Sequence, residues 1–115
     1  APPTSSSSRS PEVSRGSISS QVMRPAYIVE HLLAVARAVD EGVPVSGYLH
    51  WTISDNWEWA DGYCPKFGLV DVDRADNLRR HRRPSFALFR DIVAKRRVTV
   101  PQREDAWAQV QAAVA

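Results

Sequence analysis

The sequence predicts an α/β fold that is incomplete on its own. Three observations lead there. A helix-period apolar stripe, a strand-period run and a second helix-period stripe follow one another along the chain. The strand-period run carries large groups on both faces, as a strand buried in a parallel sheet does. A closed (β/α)8 barrel needs about 250 residues, and the chain has 115, so the neighbours such a strand requires are not visible here. The chain does not begin with Met, and its true start is expected to lie upstream.

Residues 1–22 differ from the rest. Nine of the first twenty residues are Ser, with Pro2, Pro3 and Pro11 among them. Too few apolar groups are available to offset the entropy of ordering, so a disordered or non-native segment is expected. Order is expected from residue 23. Pro25 suits a first helical turn, where its missing N–H is not needed. Ile28, Leu32, Val35 and Val39, widened by Leu33 and Ala36, make one apolar stripe, and Gly42 is a C-terminal stop, so a helix spans about residues 25–40.

Val45 to Ile53 reads as a strand. Gly47, Leu49, Trp51 and Ile53 share one face and Tyr48, His50 and Thr52 the other, with burial expected on both. Residues 54–66 form a polar and aromatic loop with Asp61–Gly62 as a turn signal. Phe67 to Val72 is a candidate short strand. Pro84 opens a helix bearing Phe86, Phe89 and Val93. Residues 101–115 form a tail with a weak helical pattern from Arg103 to Val114.

The net charge is +2, but Arg79, Arg80, Arg82, Arg83, Arg90, Lys95, Arg96 and Arg97 crowd one stretch. Such a run could touch nucleic acid, yet no recognised nucleic-acid motif accompanies it, so a solvated loop and outer helix face are expected. No apolar run is long enough to span a membrane. The single Cys64 cannot form an internal disulfide, and no signal pattern opens the chain, which together lead to a cytoplasmic expectation.

Trp51, Trp57 and Trp59 fall within nine residues, with Asp55, Asn56, Glu58 and Asp61 among them. Carbohydrate sites use this mixture. Sugar C–H faces pack on aromatic rings, a carboxylate accepts hydrogen bonds from adjacent hydroxyls, and an indole N–H donates one. Core packing and turn chemistry explain the same composition equally well. The cluster follows the C-terminal end of the candidate strand, where barrel enzymes build their sites.

The stretch Gly47-Tyr48-Leu49-His50-Trp51-Thr52-Ile53-Ser54-Asp55-Asn56-Trp57-Glu58-Trp59-Ala60-Asp61-Gly62-Tyr63, continued by Pro65-Lys66-Phe67-Gly68-Leu69-Val70-Asp71-Val72-Asp73, resembles the segment after the eighth barrel strand of family 1 glycoside hydrolases. Tyr27-Ile28-Val29-Glu30-His31-Leu32 is similar to the family's seventh barrel helix, and Arg83-Pro84-Ser85-Phe86-Ala87-Leu88-Phe89 to its closing helix. The Gly-Tyr-Leu-His-Trp form is closest to archaeal-type β-glycosidases, which tend to accept glucosides and galactosides. The resemblance covers residues 24 to about 95. It implies the C-terminal part of a (β/α)8 TIM barrel, namely helix 7, strand 8 and helix 8, within residues 23–100.

The resemblance also implies roles. Trp51 would be the platform under the glycone ring. Glu58 would accept bonds from the hydroxyls at carbons 4 and 6, Trp59 would donate to the hydroxyl at carbon 3, and Phe67 would line the wall near the hydroxymethyl group. In relatives the peptide after the platform tryptophan is often cis. Trp57 stands where Phe or Tyr is usual and is expected to pack beneath the loop. His50 would be a strand residue inside the barrel, without a chemical role. The implied substrate is a β-glycoside with a glucose or galactose glycone, with no metal and no organic cofactor.

Retaining glycosidases need two carboxyl groups about 5–5.5 Å apart. In this family they lie in Thr-Glu-Asn-Gly and Asn-Glu-Pro stretches, and neither occurs here. Glu12 falls near the nucleophile's position but lacks the following Asn-Gly. The expectation is therefore a fragment of a retaining β-glycosidase with no catalytic residue of its own, inactive alone. Two other classes stay open: a non-catalytic carbohydrate-binding remnant, and a basic interaction protein acting through residues 79–97.

Overall fold

The computed structural model describes residues 19–115. Three helices and one two-stranded sheet follow in the order α1 (Ser20–Asp40), β1 (Val70–Asp73), β2 (Arg79–Arg82), α2 (Pro84–Lys95) and α3 (Val100–Val114), with a single 3-10 turn at Trp59–Asp61 between α1 and β1. Most of the segment expected to be disordered, residues 1–18, lies outside the described residues.

Helix α1 begins five residues before the expected start. Ser19 caps it, its side chain accepting the Gln21 N–H at 3.3 Å. Pro25 therefore sits inside the helix rather than in its first turn. The helix ends as expected, with Glu41 at the cap and Gly42 at φ +91°. The core gathers Ala26, Ile28 and Val29 of α1, Leu69, Ile92 of α2, and Ala106 and Val110 of α3. Ala26 and Val29 lie outside the expected stripe because α1 packs against two helices, α2 and α3, and so buries two sides.

Helix α3 is better formed than its weak pattern suggests. It starts at Val100, and Thr99 and Gln102 make a reciprocal capping box. Its Arg103 Nε and Trp107 Nε1 both donate to Glu30 Oε1 at 2.8 Å. The Trp107 bond and then the Arg103 bond hold the Glu30 carboxyl below its ordinary pKa.

The sheet is an antiparallel hairpin with register Val70↔Arg82, Asp71↔His81, Val72↔Arg80 and Asp73↔Arg79. The expected strand at Phe67 to Val72 is shifted to Val70–Asp73, and β2 was hidden inside the arginine run. Half of that run has a partner. Arg79 meets Asp76 at 3.1 Å, Arg90 meets Asp91 at 3.4 Å, and Arg82 lies over the Phe86 ring. Arg83 is buried, which corrects its assignment to a solvated face.

The expected strand at Val45 to Ile53 does not form, and its two-sided burial fails. The alternation is present: Tyr48, His50 and Thr52 are half-buried toward the helices, while Leu49 is 97%, Trp51 64% and Ile53 68% exposed. A strand is defined by its ladder partners, and among the described residues nothing pairs with the backbone of residues 46–51. Only its C-terminal end is fixed, through Leu69 N–H to Thr52 O at 2.9 Å, Val70 N–H to Ile53 O at 2.9 Å and a parallel bridge between Ser54 and Val70.

Gly68 permits that contact. A Cβ there would lie 2.6 Å from both Ser54 C and Val70 O and would also strike Asp55 N, all backbone atoms that cannot swing aside. Gly68→Ala is expected to lower the urea-unfolding free energy by about 2–3 kcal/mol. Gly47→Ala, with nothing within 4 Å of the added atom, is expected to stay within about 0.5 kcal/mol.

Candidate functional site

The site is built on the segment 51–68, and a buried ion pair shapes that segment. Asp55 Oδ1 and Oδ2 accept from Arg83 Nη1 and Nη2 at 2.8 and 2.9 Å. The same carboxylate accepts the Gly68 N–H at 3.0 Å and the Val72 N–H at 3.4 Å. Arg83 also donates to Gly68 O at 2.7 Å and Asp71 Oδ1 at 3.2 Å. Both groups are buried, and every oxygen and Nη of the pair is satisfied. Burial raises the Asp55 pKa, but the Arg83 bonds, the Gly68 N–H and the Arg83 charge outweigh it, and the carboxyl is held at about 2. Arg83 stands at the N-cap position of α2 without capping it, since a guanidinium has no acceptor for the helix N–H groups, and its donors go to Asp55 instead.

From Asp55 the chain runs outward through Trp57 and Glu58 into the 3-10 turn and returns at Gly62. Glu58 N–H donates to Gly62 O at 2.7 Å, which closes the loop. Gly62 has φ +64°, the conformation that the Asp61–Gly62 signal foretold. Trp57 packs edge-on against Tyr63 at 4.9 Å and lies 3.5 Å from where a Gly62 Cβ would be. It thus supports the loop as expected, although more than half of it remains exposed. Arg74 lies over the Tyr63 ring, 3.2 Å from its centroid.

The predicted site residues fall into two groups. Trp51 and Glu58 are joined directly: the Trp51 Nε1–H donates to Glu58 Oε1 at 3.1 Å. Trp51 and Phe67 line one cleft of about 400 Å³ with Ser20, Met23, Arg24, Tyr27 and His50. Trp59 stands apart, 86% exposed at φ +48°, adjacent to Glu58 in sequence but free of the cleft. The Trp51–Thr52 peptide is cis, as the resemblance implied.

The His50 ring lies 6.5 Å from Tyr27 and 5.9 Å from Phe89, and His50 also lines the cleft beside Trp51. Burial first, and then the nearby Arg24 charge, push its pKa below the ordinary histidine range. Arg24 is a residue that sequence reasoning missed. It is buried beneath the cleft and its Nη2 donates to Lys66 O, tying α1 to the segment that presents Phe67. Burial, followed by the charge of Arg83, lowers its pKa. Its position next to Pro25, at the edge of the Ser-rich stretch, carried no pattern that would have marked it. Among the described residues no group of three or more His, Cys, Asp or Glu side chains is placed to hold a metal.

Comparison with known proteins adds a second line. The family description "Glycosyl hydrolase family 1" matches residues 9–98, beginning inside the Ser-rich segment. A chloroplastic beta-glucosidase-like protein of Oryza sativa subsp. japonica is 56% identical over 92 residues, which cover 80% of this chain and 14% of that protein. A chloroplastic galactolipid galactosyltransferase of Arabidopsis thaliana is also 56% identical, over 80% of this chain and 15% of its own length. Among solved structures, the β-glycosidase of Thermosphaera aggregans superposes with a TM-score of 0.65 at 45% identity, over 70% of this chain and 16% of that one. The chain thus spans about one seventh of the curated relatives it matches.

Arg83→Met would leave Asp55 buried and unpaired, and is expected to cost about 3–5 kcal/mol in a denaturant titration. Because the Asp55 carboxyl is held below its ordinary 3.8, the pair's contribution is full above that pH and is lost as pH falls through about 2. Acid titration followed by circular dichroism should show this loss, and Asp55→Asn should remove that part of the pH dependence.

Proposed function

Since the chain belongs to glycosyl hydrolase family 1, whose solved neighbours are TIM-barrel glycosidases, we propose that it supplies part of the glycone subsite of a retaining β-glycosidase acting on terminal β-D-glucosides and β-D-galactosides. In this reading α1 is the seventh barrel helix, residues 47–53 belong to the eighth strand, and α2 is the closing helix.

One observation carries the reading. The Trp51 indole is bonded to Glu58 and keeps most of its ring surface open. An aromatic face and a carboxylate are thereby held as one unit, and Glu58 Oε2 accepts no bond from any described residue. A pyranose laid on the ring would present hydroxyls to that carboxylate at charge-assisted strength. Trp59, exposed beside it, offers a further N–H, and Phe67 closes the cleft side. Trp51 is thus assigned to the ring platform, Glu58 to the hydroxyls at carbons 4 and 6, Trp59 to the hydroxyl at carbon 3, and Phe67 to the hydroxymethyl wall.

These groups bind and orient. Displacement at the anomeric carbon needs a nucleophile and a proton donor. The family's Thr-Glu-Asn-Gly and Asn-Glu-Pro stretches are absent from this chain. Glu58 is committed to hydroxyl contacts, and Asp55, bidentate to Arg83, is committed to the fold.

A second reading is favoured by the 56% identity to a galactolipid galactosyltransferase. The same subsite would hold a galactosyl group, with a hydroxyl of a galactolipid rather than water as acceptor. Product analysis separates the two: free galactose from a galactoside supports hydrolysis, and oligogalactosyl lipid supports transfer.

Nitrophenyl β-glucoside and β-galactoside hydrolysis should be absent for this chain alone. It should appear when the chain is joined to the remaining portion of a family 1 barrel. In that joined form Glu58→Gln should lower kcat/KM by about 10- to 100-fold, the worth of a charged hydrogen bond. An unchanged kcat/KM would remove Glu58 from the sugar site.

A further inference from the structure

The successive carbonyls of Lys66, Phe67 and Gly68 are each held by a different part of the chain. Arg24 Nη2, on α1, donates to Lys66 O. The Thr52 N–H, next after Trp51, donates to Phe67 O at 3.3 Å. Arg83 Nη1, at the entry to α2, donates to Gly68 O at 2.7 Å. Peptide units are rigid planes, so holding the carbonyls on either side of a residue sets where its side chain points. The direction of Phe67 into the cleft is thus set by bonds made between residues of this chain.

The Arg24 contact differs from the other two. The Thr52 bond is backbone to backbone, which other side chains at those positions would also give. Arg83 is bound up with Asp55, and its loss disturbs the whole loop. Arg24 instead reaches Lys66 across 42 positions of sequence. It lies on the face of α1 that lines the cleft, with Ser20, Met23 and Tyr27 at helical spacing. It is only 7% exposed, and a buried guanidinium is costly unless its bonds compensate. An apolar side chain of similar length would fill the same space without that cost. The bond to Lys66 O is what the charged group adds.

We propose that Arg24 is a positioning residue for sugar selectivity: by holding Lys66 O it sets the distance between the Phe67 ring and the Trp51 platform, and with it the room for the sugar's hydroxymethyl group. Arg24 acts through Phe67 and makes no contact with the sugar. Its effect therefore falls on substrates that carry the hydroxymethyl group. The inference rests on the assignment of Trp51 to the platform and Phe67 to the hydroxymethyl wall under the proposed function.

The test uses the chain joined to the remaining portion of a family 1 barrel. It compares kcat/KM for nitrophenyl β-glucoside with that for nitrophenyl β-xyloside, the same ring without the hydroxymethyl group. Arg24→Met should lower the glucoside-to-xyloside ratio by about 5-fold or more. Arg24→Lys, which keeps a charged donor, should stay within about 2-fold of the parent ratio. Phe67→Ala should lower the ratio as well, and adding Arg24→Met to it should lower the ratio no further, because both act through one ring. A merely structural role for Arg24 would reduce both activities in parallel and leave the ratio unchanged, which overturns the inference while a lowered ratio in Phe67→Ala keeps the wall assignment. A ratio unmoved by Phe67→Ala overturns the wall assignment and the inference with it. A joined form that hydrolyses neither glycoside overturns the sugar-site reading on which both stand.

Discussion

The ion pair between Asp55 and Arg83 is the constraint on which the rest of the molecule depends. It joins three parts of the chain that share no continuous secondary structure: the end of the 45–53 segment, the return at Gly68, and the entry to α2. A buried ion pair is weak evidence for stability in itself, because desolvation offsets much of the attraction. Its value here lies in specification. One guanidinium with two carboxylates and a carbonyl around it allows one arrangement of the loop, and that arrangement brings Thr52 against Leu69 and Ile53 against Val70.

The residues proposed for the sugar site inherit their geometry from that frame. Trp51 is one residue before the first of those backbone pairs and Phe67 is two before Leu69, and both line the cleft. Glu58 is held by the loop closure at Gly62 and by the Trp51 indole. Arg24 then fastens α1 to Lys66 beneath them. Asp55, a polar group that could have been read as catalytic, is committed to Arg83, and the His50 ring packs near Tyr27 and Phe89.

Much of this was legible in the sequence, and the reasons for the rest are physical. The end of α1 at Gly42 and the start of α2 at Pro84 followed from local signals, whereas α1 begins five residues before Pro25, because Ser19 supplies the cap in place of the start that Pro25 signals. The motif from Gly47 to Val70 was legible as a resemblance, and it named Trp51, Glu58, Trp59 and Phe67 before any geometry. Arg83 was misplaced because a charge run looks alike whether its members are solvated or paired across 28 positions with an aspartate. The strand at Val45 to Ile53 was read correctly in its alternation and wrongly in its burial. Alternation is local, whereas burial depends on neighbours, and neighbours for Leu49 and Ile53 are not among the described residues. Helix α3 was underestimated because its stability comes from Thr99 capping and from Glu30 on another helix, neither of which a hydrophobic period reveals.

The central claim, that this strip holds the non-reducing sugar, is tested most directly by the position of a bound sugar. The measurement is a crystal structure with galactose of Thermosphaera aggregans β-glycosidase in which residues 19–115 of this chain replace the matching portion. The account predicts the pyranose face on Trp51, with hydroxyl oxygens about 2.7–3.0 Å from Glu58 and the Trp59 indole nitrogen. A sugar bound away from Trp51, or one that leaves Glu58 bonded to the Trp51 indole alone, would contradict it.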